Sequence, residues 1–491
     1  MFATFQILVP ILLPILSGIL IGFLKPLKKH PAQQMFLYIV LSLNAIAVVA
    51  LVLQPEVSLE LFRLTERLPI LFKTDGLARV FCTLASLMFL LVGIYSPHYM
   101  DHEENKSRFY MFYLMVLGFL MGLGLSGNLM TMYLFFELST IMSFPLVMHS
   151  MKKDAVAAAF KFLYYSVGGA SLALIGFFFI YQFGTTLEFT PGGVLNLQAL
   201  AGNERQVLAA VFITIVGFGA KAGMFPLHAW LPAAHPVAPA PASAVLSGVI
   251  TKAGVFAVIR FVYYLAGPDF IRGTWVQLTW ISLALFTVIM GSSLAFREPL
   301  LKRRLAFSSV SQVSYIMLGL AALNWSGFVG ALLHIVFHSI SKDALFLISG
   351  TIISKTDKTE VADLQGLGKK MPSTLWCFLL LAIAMVGIPP TGGFISKWYL
   401  ANGYIGMGSG LFAWLSPLAL LLSALLTAGY LLPIGIYGFF SDLEPKSGNS
   451  KITTAYSMLL PVVLLTAAAI LLGIFPGWLV SFFERIASTL L

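Results

Sequence analysis

Long apolar runs separated by short polar loops recur from one end of the chain to the other. A helix that crosses a hydrocarbon core needs roughly 20 apolar residues. About fourteen runs come near that length, at approximately 5–25, 35–53, 75–97, 109–126, 128–149, 156–183, 205–225, 240–266, 275–296, 304–323, 327–353, 374–402, 413–440 and 455–482. The pattern predicts an all-α membrane protein of about 14 transmembrane helices. The longest polar stretches, roughly 54–74, 184–204, 354–373 and 441–453, are too short for cores of their own. The first alternates apolar and polar residues over Val57–Phe62 and predicts a short hairpin on the outer face. Any chemistry therefore lies within the membrane or is shared with other subunits.

Two of the predicted spans are interrupted. The seventh runs through Gly219, Lys221 and Gly223 to Pro226 and His228, then on to Pro232, Pro236, Pro239 and Pro241. The twelfth contains Gly387, Pro389, Pro390, Gly392 and Gly393. Proline removes a backbone donor and clashes with the preceding turn. Irregular backbone at membrane depth persists only where protein or a hydrated cavity satisfies it. The breaks lie five helices apart, an odd number, which predicts two inverted five-helix repeats. The expected organisation is an N-terminal three-helix segment (1–108), the repeats (109–266 and 267–440) and a C-terminal helix (441–491). Paired breaks in matching positions of two halves point to a transport path; two ordinary proline kinks are the alternative.

Composition agrees: the chain of 491 residues is 59% hydrophobic and 10% charged, with mean hydropathy +0.91. That excludes a soluble fold of this size. The net charge of +10 follows topology and gives no sign of nucleic-acid binding. With both termini outside, the inside loops collect Lys25, Lys28, Lys29, Lys106, Arg108, Lys152, Lys153, Arg297, Lys302, Arg303, Arg304, Lys355, Lys358, Lys369, Lys370, Lys446 and Lys451. The outside loops hold only Arg63, Arg67, Lys73, Arg205, Arg272 and Arg485, as the positive-inside rule requires. Cys82 and Cys377 sit in separate spans and form neither a disulfide framework nor a metal site. The first run, followed by Lys25, is expected to be a retained helix.

The remaining basic residues, Arg79, Lys161, Lys221, Lys252, Arg260, Lys342 and Lys397, all fall inside predicted spans. Only Glu137 and Asp343 are clearly intramembrane acids, with Asp75 at the mouth of the third span. A charge at a helix centre costs ~2.5–3.5 kcal/mol on insertion scales, so such residues are functional candidates. Glu137, in the middle of the fifth span, is expected to pair with Lys221 beside the first break. Lysine facing other cations in a desolvated site is a reversible proton carrier, which singles out Lys221, Lys252 and Lys397. Snorkelling accounts for residues near helix ends and is the alternative for Arg79, Lys161 and Arg260. His334, His338 and Lys342 follow at i, i+4 and i+8, on one helix face, as a relay of titratable groups; a packed polar face is the alternative. Two histidines four apart lack a third ligand, so no metal is expected. His228 and His235 flank the first break and would connect the path to bulk water. No dinucleotide fingerprint, iron–sulfur motif or phosphate loop occurs, so no cofactor is expected and any redox power would come from partner subunits.

These residues, in this order, resemble the antiporter-like subunits shared by Mrp-type Na⁺/H⁺ antiporters, respiratory complex I and membrane-bound hydrogenases. The resemblance runs from about Asp75 to Lys397; its most specific stretches are KAGMFPLHAWLP, SAVLSGVITKAGVFAVIR and GIPPTGGFISKWYL. It implies that Glu137 and Lys221 are the ion pair of the fifth and seventh helices. It implies likewise that Lys252 is the central residue of the eighth, and that Lys397 is the charged residue of the broken twelfth. His334, His338 and Lys342 match the polar eleventh helix. The length, and lysine at 397, bring the chain nearest to the D-type Mrp protein. The resemblance implies a proton-translocating subunit of a hetero-oligomeric complex in a prokaryotic plasma membrane, with protons as cargo and Na⁺ left open. The ion-pumping subunit of a hydrogenase or of a complex I-like oxidoreductase is the alternative. A quinone-reactive redox subunit, a structural subunit and a lone solute carrier are less well supported by these residues.

Overall fold

The computed structural model describes residues 6–440 and 452–491; most of the predicted polar stretch 441–453, with Lys446 and Lys451, lies outside the described residues. The chain opens with helices α1 (Val9–Phe23) and α2 (His30–Leu53). A hairpin of β1 (Ser58–Arg63) and β2 (Pro69–Lys73) follows, paired antiparallel with Ser58 opposite Lys73. On that hairpin the Arg63 hydrogen bond holds the exposed Glu60 carboxyl below the usual carboxylate range. Next come α3 (Gly76–Met100), α4 (Lys106–Gly124), α5 (Leu129–Val147) and α6 (Lys153–Phe183). After α7 (Glu204–Ala222), α8 (Leu231–Val237) and α9 (Ala240–Ala266) run α10 (Trp275–Arg297), α11 (Leu301–Ala321) and α12 (Trp325–Thr356). The chain ends with α13 (Pro372–Val386), α14 (Gly392–Ile405), α15 (Leu411–Phe440), α16 (Tyr456–Ile474) and α17 (Gly477–Leu490).

Among the described residues, 12 helices are long and apolar enough to cross a membrane. This is a multi-pass helical membrane protein. Two of the predicted runs are helical without meeting that standard. The tenth is α11, which opens on Lys302, Arg303 and Arg304 and carries Ser308, Ser309, Ser311 and Ser314. The twelfth is divided between α13 and α14. The last predicted run, 455–482, also divides: the chain leaves the helix at Phe475 and Pro476 separates α16 from α17.

Both interrupted spans use the same local device. α7 ends at Gly223, at φ 84°, and α13 ends at Gly387, at φ 86°, a left-handed conformation that side-chain-bearing residues rarely adopt. Each glycine is followed three residues later by a proline, Pro226 or Pro390. The helix therefore stops where the glycine unwinds it and restarts past the proline. α9 is irregular in another way, with π turns at Leu246–Ile250 and Val262–Ala266 on either side of Lys252. Such turns interrupt the regular ladder and frequently mark functional positions.

The most apolar stretches of α9 and α12 are wholly buried, whereas α1, α2 and α16 leave more than half of theirs less than fully buried. The helices that carry Lys252, His334, His338 and Lys342 thus form the centre, and more exposed apolar helices lie outside them. Close packing near this centre depends on small residues. A Cβ at Gly217 would lie 2.5 Å from the Gly169 carbonyl oxygen, and one at Gly169 would lie 2.5 Å from that of Gly217. Gly217→Val is therefore expected to push α6 from α7 and to destabilise the protein by about 1–3 kcal/mol. Thermal unfolding of the purified protein in detergent would show a lowered midpoint.

Candidate functional site

Of the predicted site residues, Lys252, His334, His338 and Lys342 meet at the α9–α12 centre, with Lys397 beside them. Lys252, 1% exposed, donates to the Ser247 carbonyl at 2.5 Å and lies 2.7 Å from His338 Nδ1. The π turn makes this possible by turning the Ser247 carbonyl away from the regular ladder toward the lysine one turn on. His338 and His334 stack along α12 with ring centroids 6.0 Å apart. His334 Nδ1 then meets Ser396 Oγ at 2.9 Å, and its ring lies flat on Tyr315. Lys397, the next residue after Ser396, donates to the Met385 and Val386 carbonyls at 2.7 and 2.8 Å. It thereby satisfies the last turn of α13, which the break leaves open, while its ammonium sits 5.2 Å from the Tyr315 ring centroid.

Lys342 branches from this row. It turns to α11 and donates to the Leu305 carbonyl and Ser308 Oγ. Ser309, beside Ser308, shares a 2.7 Å hydrogen bond with Ser247. A polar seam therefore joins α9, α11 and α12.

Lys221 is fully buried at the end of α7 and points into α5. Its ammonium donates to the Phe136 carbonyl, Ser139 Oγ and Thr140 Oγ1 at 2.9, 2.7 and 2.9 Å, and lies 4.1 Å from the Phe136 ring centroid. It makes no ion pair with Glu137 within 4.0 Å. Glu137 instead accepts from Tyr133 at 3.3 Å and is half-buried on the flank of α5. The two residues expected to pair are thus on facing helices but hold separate partners in this conformation.

The two histidines at the first break diverge. His235 is buried against Phe346, with ring centroids 4.5 Å apart and no protein hydrogen bond to either nitrogen. His228 lines a cavity of about 460 Å³ together with Lys161 and Arg303. A larger cavity, about 650 Å³, opens beside the α8–α9 junction and is lined by His102, Glu103, His149, Lys152, Asp154 and Lys302, among others. In it, burial raises the Glu103 carboxyl above its ordinary range, while Lys302, Lys152 and His102 draw it back. Burial, and then Arg108, push His149 down to about 4. The cavity is thus a titratable vestibule next to the central seam.

For Arg260 the snorkelling alternative fails: its side chain is fully buried and clasps Asp75 through two hydrogen bonds, at 2.5 and 2.8 Å. Its basicity is structural. Among the described residues, no group of three or more His, Cys, Asp or Glu could hold a metal ion.

Comparison with known proteins places this chain in a family. The family described as "NADH:quinone oxidoreductase/Mrp antiporter, TM" matches residues 126–423, and "NADH-Ubiquinone oxidoreductase (complex I), chain 5 N-terminus" matches 65–110. The chain belongs to this family. It is an antiporter-like membrane subunit. It is 33% identical to the N subunit of NADH-quinone oxidoreductase from Desulforudis audaxviator, over 83% of this chain and 82% of that one. It is 30% identical to the D-type Na(+)/H(+) antiporter protein of Bacillus subtilis, over 86% of this chain and 84% of the relative. Hydrogenase-4 component B of Escherichia coli is 29% identical, over 83% of this chain and 62% of the relative. Two solved complexes share the fold. A chain of the archaeal membrane-bound sulfane sulfur reductase superposes with TM-score 0.86 at 23% identity, covering 99% of this chain and 98% of that one. A chain of the Mrp complex from Dietzia sp. gives TM-score 0.84 at 22% identity, covering 100% and 98%.

The family match spans both breaks and every lysine of the row. Several polar partners are not singled out by sequence. Ser139 and Thr140 receive Lys221, Ser308 receives Lys342, and Ser396 bridges His334 toward Lys397. Their signal is present, since serine or threonine stands two and three residues after Glu137 and one before Lys397. Hydroxyls in apolar spans are common, however, and depth alone does not say which one faces a lysine.

Proposed function

We propose that this chain is the proton-translocating subunit of a multisubunit cation/proton antiporter, comparable to the D-type protein of Mrp complexes. The observation that carries the proposal is the Lys252–His338–His334–Ser396 sequence of contacts through the protein centre, ending beside Lys397. Each member can take up and release a proton or pass one through a hydroxyl. His235, Gln312, His334 Nε2 and His338 Nε2 are buried without protein partners. Buried polar atoms need hydrogen bonds, and these are the atoms a chain of waters would serve.

In this reading Glu137 controls the row, and Lys221, singled out by sequence as a carrier at its start, acts with Glu137 from the α5–α7 contact. Lys221 moving from the Ser139–Thr140 hydroxyls to Glu137 would change the charge that the central lysine faces. The matched glycine breaks at 223 and 387 support two inverted repeats, 109–266 and 267–440, with both chain ends outside. Glu137 and Lys397 lie half-buried on the flanks within the span region, which favours polar neighbours from partner subunits there.

Purified complex in vesicles, energised with a cation gradient and read by a pH-sensitive dye, tests the proposal. The wild type is expected to acidify or alkalinise the lumen. Glu137→Gln is expected to assemble yet to slow that exchange about tenfold, the scale of a lost coupling of one to two kcal/mol. A wild-type complex that moves no protons, or a Glu137→Gln complex working at full rate, would count against it. The similarity to proteins of NADH-quinone oxidoreductase and hydrogenase favours one second reading, a redox-driven pump. Partner proteins bearing iron–sulfur clusters or flavin, recovered with the chain from native membranes, would select it.

A further inference from the structure

Asp343 has no place in the row of lysines and histidines. It is fully buried on α12, directly after Lys342, and neither carboxylate oxygen has a protein hydrogen-bond partner. Lys342 turns to α11, whereas Asp343 turns to α9. There it occupies the space that a side chain at position 248 would fill: a Cβ on Gly248 would lie 1.7 Å from Asp343 Oδ1. Gly248 is the third residue of the π turn whose Ser247 carbonyl holds Lys252, and the Gly248 carbonyl accepts from Ser339, also on α12. Lys252 on α9 and Tyr113 on α4 are the titratable groups of other helices within electrostatic reach of the carboxylate. The Tyr113 hydroxyl is committed to the Phe89 carbonyl.

A purely structural carboxylate would be expected to hold hydrogen bonds, because an unpaired buried charge is costly. This one is kept free, over a glycine, one turn from the central lysine. We propose that Asp343 is a positioning residue for Lys252, a second control acid that decides when the central lysine hands its proton to His338. The inference rests on the proton-path reading above. Ionised Asp343 holds the proton on Lys252. When Asp343 takes up a proton, that hold ends and one Lys252 N–H bond breaks as an N–H bond forms on His338 Nδ1. Lys252 is left as a neutral amine, His338 becomes the imidazolium, and the proton count is conserved. Asp343 regains its charge by giving its proton back to the neutral Lys252 amine, the carboxyl O–H bond breaking as an N–H bond forms, so the lysine is reloaded and the proton count is again conserved.

The test compares vesicles carrying the whole complex with Asp343→Asn, Asp343→Ala, Asp343→Ala/Gly248→Ala and Lys252→Ala. Asp343→Asn is expected to lower proton exchange about a hundredfold, the scale of a lost acid–base group, with normal recovery of assembled complex. If Asp343→Ala assembles poorly, the added methyl in Asp343→Ala/Gly248→Ala fills the vacated space and restores assembly but not transport. Infrared difference spectra after a pH jump supply a readout that packing does not move. A protonated-carboxyl band is expected in the wild type, absent in Asp343→Asn and displaced in Lys252→Ala. Full transport by Asp343→Asn, or by the Asp343→Ala/Gly248→Ala complex, overturns this inference and leaves the row intact if Lys252→Ala is inactive. Full transport by Lys252→Ala overturns the row itself.

Discussion

Lys252→Ala should abolish proton exchange by the reconstituted complex, lowering its rate about a hundredfold or to background, while the complex assembles. The lysine joins α9 to the histidine face of α12 through His338. Truncating it removes the proton donor of the His338 contact and leaves both His338 Nδ1 and the Ser247 carbonyl without that partner. Assembly should survive, because Asp343, left without the lysine's charge, can take up a proton and stay buried as a neutral acid. Lys252→Arg should fail almost as badly: a guanidinium keeps the charge but does not give up its proton. Dye-reported lumen pH in vesicles checks both, and undiminished exchange by either variant would remove Lys252 from the path.

The spans, the two breaks and the buried charges are legible in the sequence because each is a property of position along the chain. Twenty apolar residues declare a span, and Gly223 or Gly387 with a proline beyond declares a break. A lysine amid apolar residues needs no structure to be noticed. Direction around each helix axis is much harder to read. Position along a span gives depth, but it does not say that Lys221 turns to Ser139 and Thr140 and leaves Glu137 to Tyr133. Nor does it say that Lys342 and Asp343, adjacent in sequence, serve α11 and α9 respectively. His334 and His338 are readable as neighbours on one face because their spacing encodes the angle. Lys252 joins that face only once α9 is packed on α12, and the π turn that presents the Ser247 carbonyl has no sequence signature beyond Gly248.

Arg260 illustrates the same limit at longer range and carries the largest expected effect on stability. Its partner, Asp75, is 185 residues away in sequence, so local pattern does not reveal the pair, and a basic residue near a helix end is open to snorkelling. In the structure the guanidinium is enclosed by Phe189, Phe256 and Tyr264, whose ring centroids lie 4.8, 5.1 and 4.6 Å from it. Asp75 meets it with both oxygens and also caps α3 by accepting from the Ala78 amide. Asp75→Asn keeps the capping oxygen but removes the charge, stranding Arg260 among aromatic rings. Arg260→Met strands the carboxylate instead. Removing one partner of a buried pair costs about 3–5 kcal/mol, because the other charge stays buried and unpaired. Each single variant should therefore show a strongly lowered unfolding midpoint and poor recovery from membranes. The double variant Asp75→Asn/Arg260→Met leaves no unpaired charge and should recover most of the loss, a non-additivity expected for residues in contact. Thermal unfolding of the four proteins in one detergent measures the cycle. A double variant as unstable as the two single losses combined would show that the pair is incidental and that the aromatic packing around Arg260 sets the stability.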